Sequence, residues 1–434
     1  MGSVLVSAAM APAVLVGLPA LAQAKWGAPF EFVAPGTLDV LAPQVAFSPA
    51  GAAAAAFGIQ DVDDPGSSQG YLALRSTAGT VGSATSIAGA SQILSLAYDG
   101  RAVELLTGTA PAGQTCCSSA QAVQVSAGGA PARPRTLVGG LAGPAVGRLL
   151  TLADGQMLAV VATERGVWVV QSPRSNRFGA QHLLTSAGRM PAALAAAWLG
   201  AEKTVVAWTA GTGMGGTAQP RTISYAEGSR TSAPHAVQTA VTVAAGHRID
   251  ELGVAPRAGG ATVAWVESWY DRGGAYHSQV QAADIAPHAV TRALSPADRL
   301  ASGLTFAGDV AGDQALSWES CTTADACVAQ VAAREAGMTG FGPVHTLGGV
   351  DADEPPALAV GSRGQILAAW IRGGQPFAAA QATPGRSVGA AAKLSSTTFA
   401  SDITVSVGPH GQALAAWTQG TLNPSVVGAA NSGP

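Results

Sequence analysis

One apolar phrase recurs along the chain: a short alternating run, a turn containing glycine, an Ala- and Val-rich run, and a closing aromatic residue. It is clearest in PALAVGSRGQILAAW, which closes at Trp370, and in ITVSVGPHGQALAAW, which closes at Trp417. LTFAGDVAGDQALSW and LGVAPRAGGATVAW repeat it to Trp318 and Trp265. In each of these a glycine stands six residues before the tryptophan: Gly364, Gly411, Gly312 and Gly259. Weaker copies keep the interval between Gly51 and Phe57, Gly100 and Leu106, and Gly155 and Val161. In a further copy Gly200 is displaced by two residues from Trp208. The closing positions follow one another at 47 to 57 residues.

Each phrase supplies two strands. A third follows, as in CVAQVAARE or HSQVQAADI, and then a fourth, as in FGPVHTLGG or FGAQHLLTS. No amphipathic helix separates them. Four short strands renewed about every fifty residues are the signature of propeller blades. The pattern predicts an all-β chain folded as an eight-bladed β-propeller of four-stranded antiparallel blades. Because the second and third copies are degenerate, seven blades is the alternative. The last unit stops after three strands, whereas PFEFVAPGTLDV near the N-terminus is a strand without a unit. Pairing the two would close the ring and remove its open edges.

Composition fits this reading. Hydrophobic residues make up 48 % of the 434, charged residues only 11 %, and the net charge is −3. Average soluble domains carry about 25 % charged residues. Blades covered on both faces read as continuous apolar runs, which accounts for the deficit. There is no basic excess for nucleic-acid binding, and the low charge excludes a disordered polyelectrolyte. Glycine in the turn between strands one and two permits the positive φ of tight hairpins. The five tryptophans in register are expected to be packing anchors between blades.

Residues 4–24 are almost continuously apolar and end in Ala22-Gln23-Ala24, a pattern suited to signal peptidase. Pro12 and Pro19 interrupt the run and disfavour a spanning helix. The expectation is a signal peptide at 1–24 and a single propeller domain at 25–434, secreted or held at the cell surface, monomeric, and free of the membrane after cleavage. Four cysteines suit an oxidising compartment. Cys321 and Cys327 read as a hairpin-loop disulfide, and Cys116 and Cys117 as a vicinal one, both in loops between strands two and three.

Chemistry is sparse and gathered in loops. Acidic residues recur just before strand one: Asp39, Asp250 with Glu251, Asp298, Asp351, Asp353 with Glu354, and Asp402. A ring of carboxylates at a channel mouth suits a cation or sugar hydroxyls; the simpler alternative is that each binds its own turn backbone. Trp269, Tyr270 and Arg272 in SWYDRGGAY offer aromatic and guanidinium groups of the kind used in ligand or protein contact. Asp61, Asp63 and Asp64 resemble part of a calcium loop, but Pro65 breaks the EF-hand pattern. No cofactor is expected beyond that weak calcium signal. Gly66-Ser67-Ser68-Gln69-Gly70 sits in a polar loop and not at a strand–helix elbow. Gly211 to Gly216 matches a dinucleotide fingerprint without a following helix.

The phrase P-x-L-x-V…G-x-x-L-A-A-W resembles the repeats of secreted bacterial β-propeller proteins, loosely sialidase-like in fold. The resemblance covers nearly the whole mature chain and speaks for architecture, not activity. Asp boxes are absent, as the interval from glycine to tryptophan is six where theirs is three. The resulting expectation is a non-enzymatic binding or scaffold propeller that recognises a surface glycan or an extracellular protein through its top-face loops. The alternative is a glycoside hydrolase or lyase with carboxylates at the axial pocket.

Overall fold

In the computed structural model every regular element among the described residues is a strand. The described residues are 26–32, 39–60, 68–100, 102–110, 117–141, 143, 145–152, 155–173, 177–185, 191, 193–200, 202–210, 221–285, 290–322, 326–420 and 425–431. The apolar leader, Cys116, the aspartates at 61–64 and the glycine run at 211–216 lie outside them.

The strands form eight separate antiparallel sheets. Blade 1 pairs Asp39–Val40 and Gln44–Phe47 with Ala53–Gln60, followed by Gln69–Arg75 and Thr85–Ile87. Blade 2 holds Gln92–Asp99, Ala102–Thr109, Ser119–Val125 and Arg135–Gly139. Blade 3 holds Val146–Thr151, Met157–Thr163, Gly166–Ser172 and Gln181–Leu183. Blade 4 holds Leu194–Leu199, Lys203–Ala210, Thr222–Ser229 and His235–Thr242. Blade 5 holds His247–Arg257, Gly260–Tyr270, Tyr276–Asp284 and Arg292–Ala293. Blade 6 holds Leu300–Gly308, Gln314–Cys321, Cys327–Arg334 and His345–Gly349. Blade 7 holds Ala357–Val360, Ile366–Arg372, Gln375–Gln381 and Ala392–Lys393. In blade 8, Ala400–Val407, Ala413–Gln419 and Ser425–Asn431 are joined by Phe30–Phe32.

The first strand of every blade touches the first strands of both neighbours, and that of blade 8 touches that of blade 1. The ring is therefore closed, with eight blades and not seven. Closure is made as the N-terminal pattern predicts: Phe30, Glu31 and Phe32 pair with Gly428, Val427 and Val426. Phe32 is fully buried among Ala55 and Phe57 of blade 1 and Leu414 and Ala416 of blade 8. One detail differs from the expectation of a single strand. PFEFVAPGTLDV is shared, its Phe30–Phe32 completing blade 8 and its Asp39–Val40 starting blade 1.

The anchors behave as the register demands. Trp208, Trp265, Trp318, Trp370 and Trp417 are among the largest fully buried side chains. Each packs on the preceding blade: Trp265 on Val205 and Ala207, Trp318 on Ala264 and Val266, Trp417 on Leu367 and Ala369. The alanines opposite are small because the blades approach closely; a Cβ on Gly253 of blade 5 would lie 2.5 Å from that of Phe306 in blade 6. The glycine of all eight turns, Gly200 included, has a positive φ.

Blade 2 departs from the repeat. Leu106 packs toward blade 3, with Leu149, Met157 and Val161, whereas Leu105 meets Ala54 and Ala56 of blade 1. Gly100 is here the first residue of a two-residue turn closed by Asp99 and Ala102, while Gly259 is second in the turn closed by Arg257 and Gly260. A one-residue change of phase moves every side chain to the opposite face, so a constant glycine interval marks the wrong residue as the anchor. It also turns Glu104 inward, where it is fully buried and neither carboxylate oxygen has a partner.

Candidate functional site on the top face

With antiparallel blades, the loops from strand two to three and those entering each first strand share one end of the ring, the top face. Blade 5 has the longest first and second strands among the described residues, each of eleven residues. Ser268, Trp269, Tyr270 and Tyr276, read from the sequence as loop residues, belong to these strands; the turn is confined to 271–275. Asp271 holds that turn by accepting the N–H groups of Gly273 and Ala275 at 2.8 and 2.9 Å.

The side of this hairpin facing blade 4 carries a column of rings. Trp269 is stacked between His247, at 4.8 Å, and His277, at 5.3 Å. Cross-strand pairing of His247 with Trp269 and of Trp269 with His277 sets the spacing. Carboxylates hold both ends: Glu267 lies 2.6 Å from Nδ1 of His247, and Asp271 lies 3.2 Å from Nε2 of His277. Both faces of Trp269 are thus occupied by imidazole rings. On the other side, Tyr270 and Tyr276 lie with centroids 5.3 Å apart, and Tyr270 is 63 % exposed. The Arg248 guanidinium sits over Tyr276 and donates to Asp250 at 2.8 Å. Arg272 is exposed at the turn.

The acidic residues divide between those consumed by the fold and those left free. Glu251 of blade 5 accepts the N–H groups of Gly303, at 2.9 Å, and of Leu304 in blade 6. Those two residues form a bulge between Ser302 and Thr305, where the ladder leaves N–H groups unpaired. Glu354 repeats the device one pair of blades later, accepting Asp402 N–H of blade 8 at 2.9 Å, again at a bulge. Asp351 caps the Gly373-Gly374 turn at 2.6 and 2.7 Å. Asp250 is taken by Arg248 and Ser268. These four are engaged by backbone N–H groups or by an ion pair, close to the simpler alternative of backbone binding, although Glu251, Glu354 and Asp351 reach another blade or turn and not their own. Asp353 and Asp402 are exposed and hold the left-handed backbone conformation, with φ of 64° and 52°; Asp353 is free, whereas Oδ2 of Asp402 accepts the hydroxyls of Ser401 at 3.1 Å and Thr418 at 3.2 Å. Asp298 is exposed in the loop before blade 6, and Asp39 at the mouth of blade 1.

Glu319 lies inside the second strand of blade 6 and so lacks the position before a first strand that marks the other acids. Its side chain accepts Ser302 Oγ at 3.2 Å. Burial first, then the negative charges of Asp353 and Glu251, raise its pKa above the ordinary carboxylate value. Glu354 is raised likewise by burial, then by Asp402, Asp351 and Asp353. The acids of blades 5 to 8 are therefore close enough to act on one another and form one negative sector. Glu267 had a legible signal: it stands two residues after Trp265 and accepts its indole N–H at 3.4 Å, as Gln419 does for Trp417 at 3.0 Å.

Cys321 and Cys327 are bonded to one another and are direct register partners. Cys117 is also disulfide-bonded. Among the described residues, the one set of three ligand atoms gathered within 4.8 Å is Glu319, Cys321 and Cys327. Both sulfurs are spent in the disulfide, so the set lacks the thiolates that a metal would need.

No family model and no curated protein matches this sequence. Solved structures do. The BP39L lectin from Burkholderia pseudomallei is 13 % identical, with a TM-score of 0.50 over 80 % of this chain and 98 % of that one. The polysaccharide lyase Uly1 is 10 % identical, with a TM-score of 0.48 over 80 % and 91 %. A protein of unknown function from Dyadobacter fermentans is 9 % identical, with a TM-score of 0.45 over 95 % and 99 %. The shared feature is the fold.

Proposed function

We propose that this propeller recognises a neutral glycan outside the cytoplasm, without transforming it, through its top face over blades 5 to 8. The observation that carries the reading is the exposed Tyr270–Tyr276 pair, at the end of the longest strand pair among the described residues and beside a sector of carboxylates. Tyrosine rings pack the apolar face of a pyranose, and ionised carboxylates accept its hydroxyls. Asp353 is the free acceptor, and Asp402, whose Oδ2 is engaged by Ser401 and Thr418, offers its remaining acceptor capacity; Asp39, Asp298 and Arg272 extend the surface. A lectin among the solved structures with this fold is in keeping with the reading. The apolar leader and the Cys321–Cys327 bond favour an oxidising, extracytoplasmic setting.

The second reading is glycan cleavage by paired carboxylates. Glu319 supports it as an acid of raised pKa beside ionised neighbours, the arrangement used by glycosidases. Its 4 % exposure speaks against it, because a general acid must reach the glycosidic oxygen. A glycan array separates the two when followed by assays for new reducing ends and unsaturated products. Binding with unchanged ligand is expected; ligand cleavage would establish the second reading in place of the first.

A further inference from the structure

The bottom face holds a pocket with a different chemistry. It lies between blades 5 and 6, has a volume of about 220 Å³, and is lined by Arg257, Arg292, Arg334, Asp284, Thr262 and Phe341, among others. The strand ends place these groups: Arg257 ends the first strand of blade 5, Asp284 the third, and Arg334 the third strand of blade 6.

Three guanidiniums and one carboxylate line the pocket. Oδ1 of Asp284 accepts from Arg334 at 3.0 Å, and its Oδ2 pairs with Arg257. Both oxygens are thereby engaged. Arg334 is almost wholly buried, donates also to Thr262, and lies 5.1 Å above the ring of Phe341. Arg292 donates to the carbonyl of Thr339, a neutral acceptor, so its charge has no counter-ion in this group. The pKa of Arg334 is lowered first by burial; Asp284 opposes this, and the charges of Arg257 and Arg292 add to the lowering. Arg334 is buried, Arg257 is partly exposed and Arg292 is exposed, and with a single carboxylate among three guanidiniums the pocket carries an excess of positive charge.

We infer that this pocket binds a small oxyanion, the carboxylate or sulfate of an anionic sugar or the free inorganic anion. Guanidinium forks match such oxygens two by two. At about 30 Å³ for each water, the cavity has room for one sugar ring or for a hydrated anion. Phe341 and Val290 supply an apolar wall for a ring body. This site is separate from the top face, and its test does not depend on the glycan reading.

The test is calorimetric titration of the folded chain with sodium glucuronate, sodium sulfate and neutral methyl glucoside at constant, low ionic strength. Saturable binding of glucuronate or sulfate, and none of the glucoside, is expected. Glucuronate exceeding sulfate would assign the pocket to an anionic sugar, and equality to the anion itself. Arg257→Gln with Arg292→Gln leaves the buried Arg334–Asp284 pair in place and should weaken binding roughly tenfold or more. Asp284→Asn removes the competing carboxylate and should tighten it. Absence of binding by both anions, unchanged affinity in the double arginine variant, or equal binding of the neutral sugar would overturn the inference.

Discussion

The carboxylate of Glu354 in blade 7 accepts the backbone N–H of Asp402 in blade 8 at 2.9 Å. Glu251 does the same for Gly303 across the step from blade 5 to blade 6. Neighbouring blades are thus joined at the top by side chain and backbone as well as by tryptophan packing. Glu251→Ala should cost about 1–3 kcal/mol, the range for stranding a charge-assisted hydrogen bond. Glu251→Gln, which keeps one acceptor, should cost less. Chemical denaturation of the two variants measures the difference; equal and negligible losses would show that the bulge N–H groups find water instead.

Glu104 gives the chain a distinctive pH response. Burial, then the charge of Asp99, pushes its pKa up to about 8, from 4.5 in the unfolded chain. Below about pH 4.5 the group is protonated in both states and imposes no penalty. From there to about pH 8 the unfolded chain loses a proton that the folded chain keeps, so stability falls as pH rises. The penalty levels off above pH 8, on the order of 4 kcal/mol. Glu104→Gln has no such titration, and its stability relative to the parent should grow between about pH 5 and pH 8 and then level off. A difference that stays flat across that range would contradict the buried, unpaired state.

The tryptophan N–H groups suggest a gain of stability. Trp265 and Trp417 donate to Glu267 and Gln419 two residues on, but the Nε1 atoms of Trp318 and Trp370 lack partners. The corresponding residues are Ser320, too short to reach, and Arg372, which has no acceptor. Arg372→Gln should give Trp370 the missing acceptor and raise stability by about 1 kcal/mol. A thermal melt read against the parent checks the sign.

Closure of the ring rests on a short N-terminal strand. Phe32→Ala removes a fully buried ring at the junction of blades 8 and 1 and should cost about 3–5 kcal/mol. Hydrogen exchange should rise first in Ser425–Asn431, the strand that Phe30–Phe32 covers. Faster exchange spread evenly over all blades would show that the ring does not open at this seam.

Reduction tests the hairpin clip on the top face. The Cys321–Cys327 bond closes a loop with a sequence separation of 6, so its loss should lower stability by about 2 kcal/mol. Intact-mass measurement before and after reduction would show the bond, and a thermal melt of Cys321→Ser with Cys327→Ser, which leaves the bond of Cys117 in place, would show its effect.

The repeat was legible because propeller packing imposes one phase on every blade: glycine where φ must be positive, tryptophan where a neighbouring sheet must be filled. It misled at Leu106, where the glycine stands first in its two-residue turn and not second, and Leu105 is the residue that faces the preceding blade. The top face was half legible. Acidic residues before the first strands were visible, but whether Glu251 caps a bulge while Asp353 remains free depends on contacts between blades some fifty residues apart. The His247–Trp269–His277 column was hidden for a related reason. Its members are cross-strand neighbours, and only register brings them together. The arginine pocket gathers Arg257, Arg292 and Arg334 from two blades and left no local pattern at all.

The central claim is that the top face over blades 5 to 8 is a glycan-binding surface. It is tested most directly by glycan-array binding of the folded chain beside Tyr270→Ala with Tyr276→Ala, and beside Asp353→Asn with Asp402→Asn. The account predicts binding to neutral glycans by the parent, lost in the tyrosine pair and weakened in the aspartate pair, with all three proteins melting cooperatively. No binding by the parent to any neutral glycan, or binding that both paired variants retain in full, would contradict it.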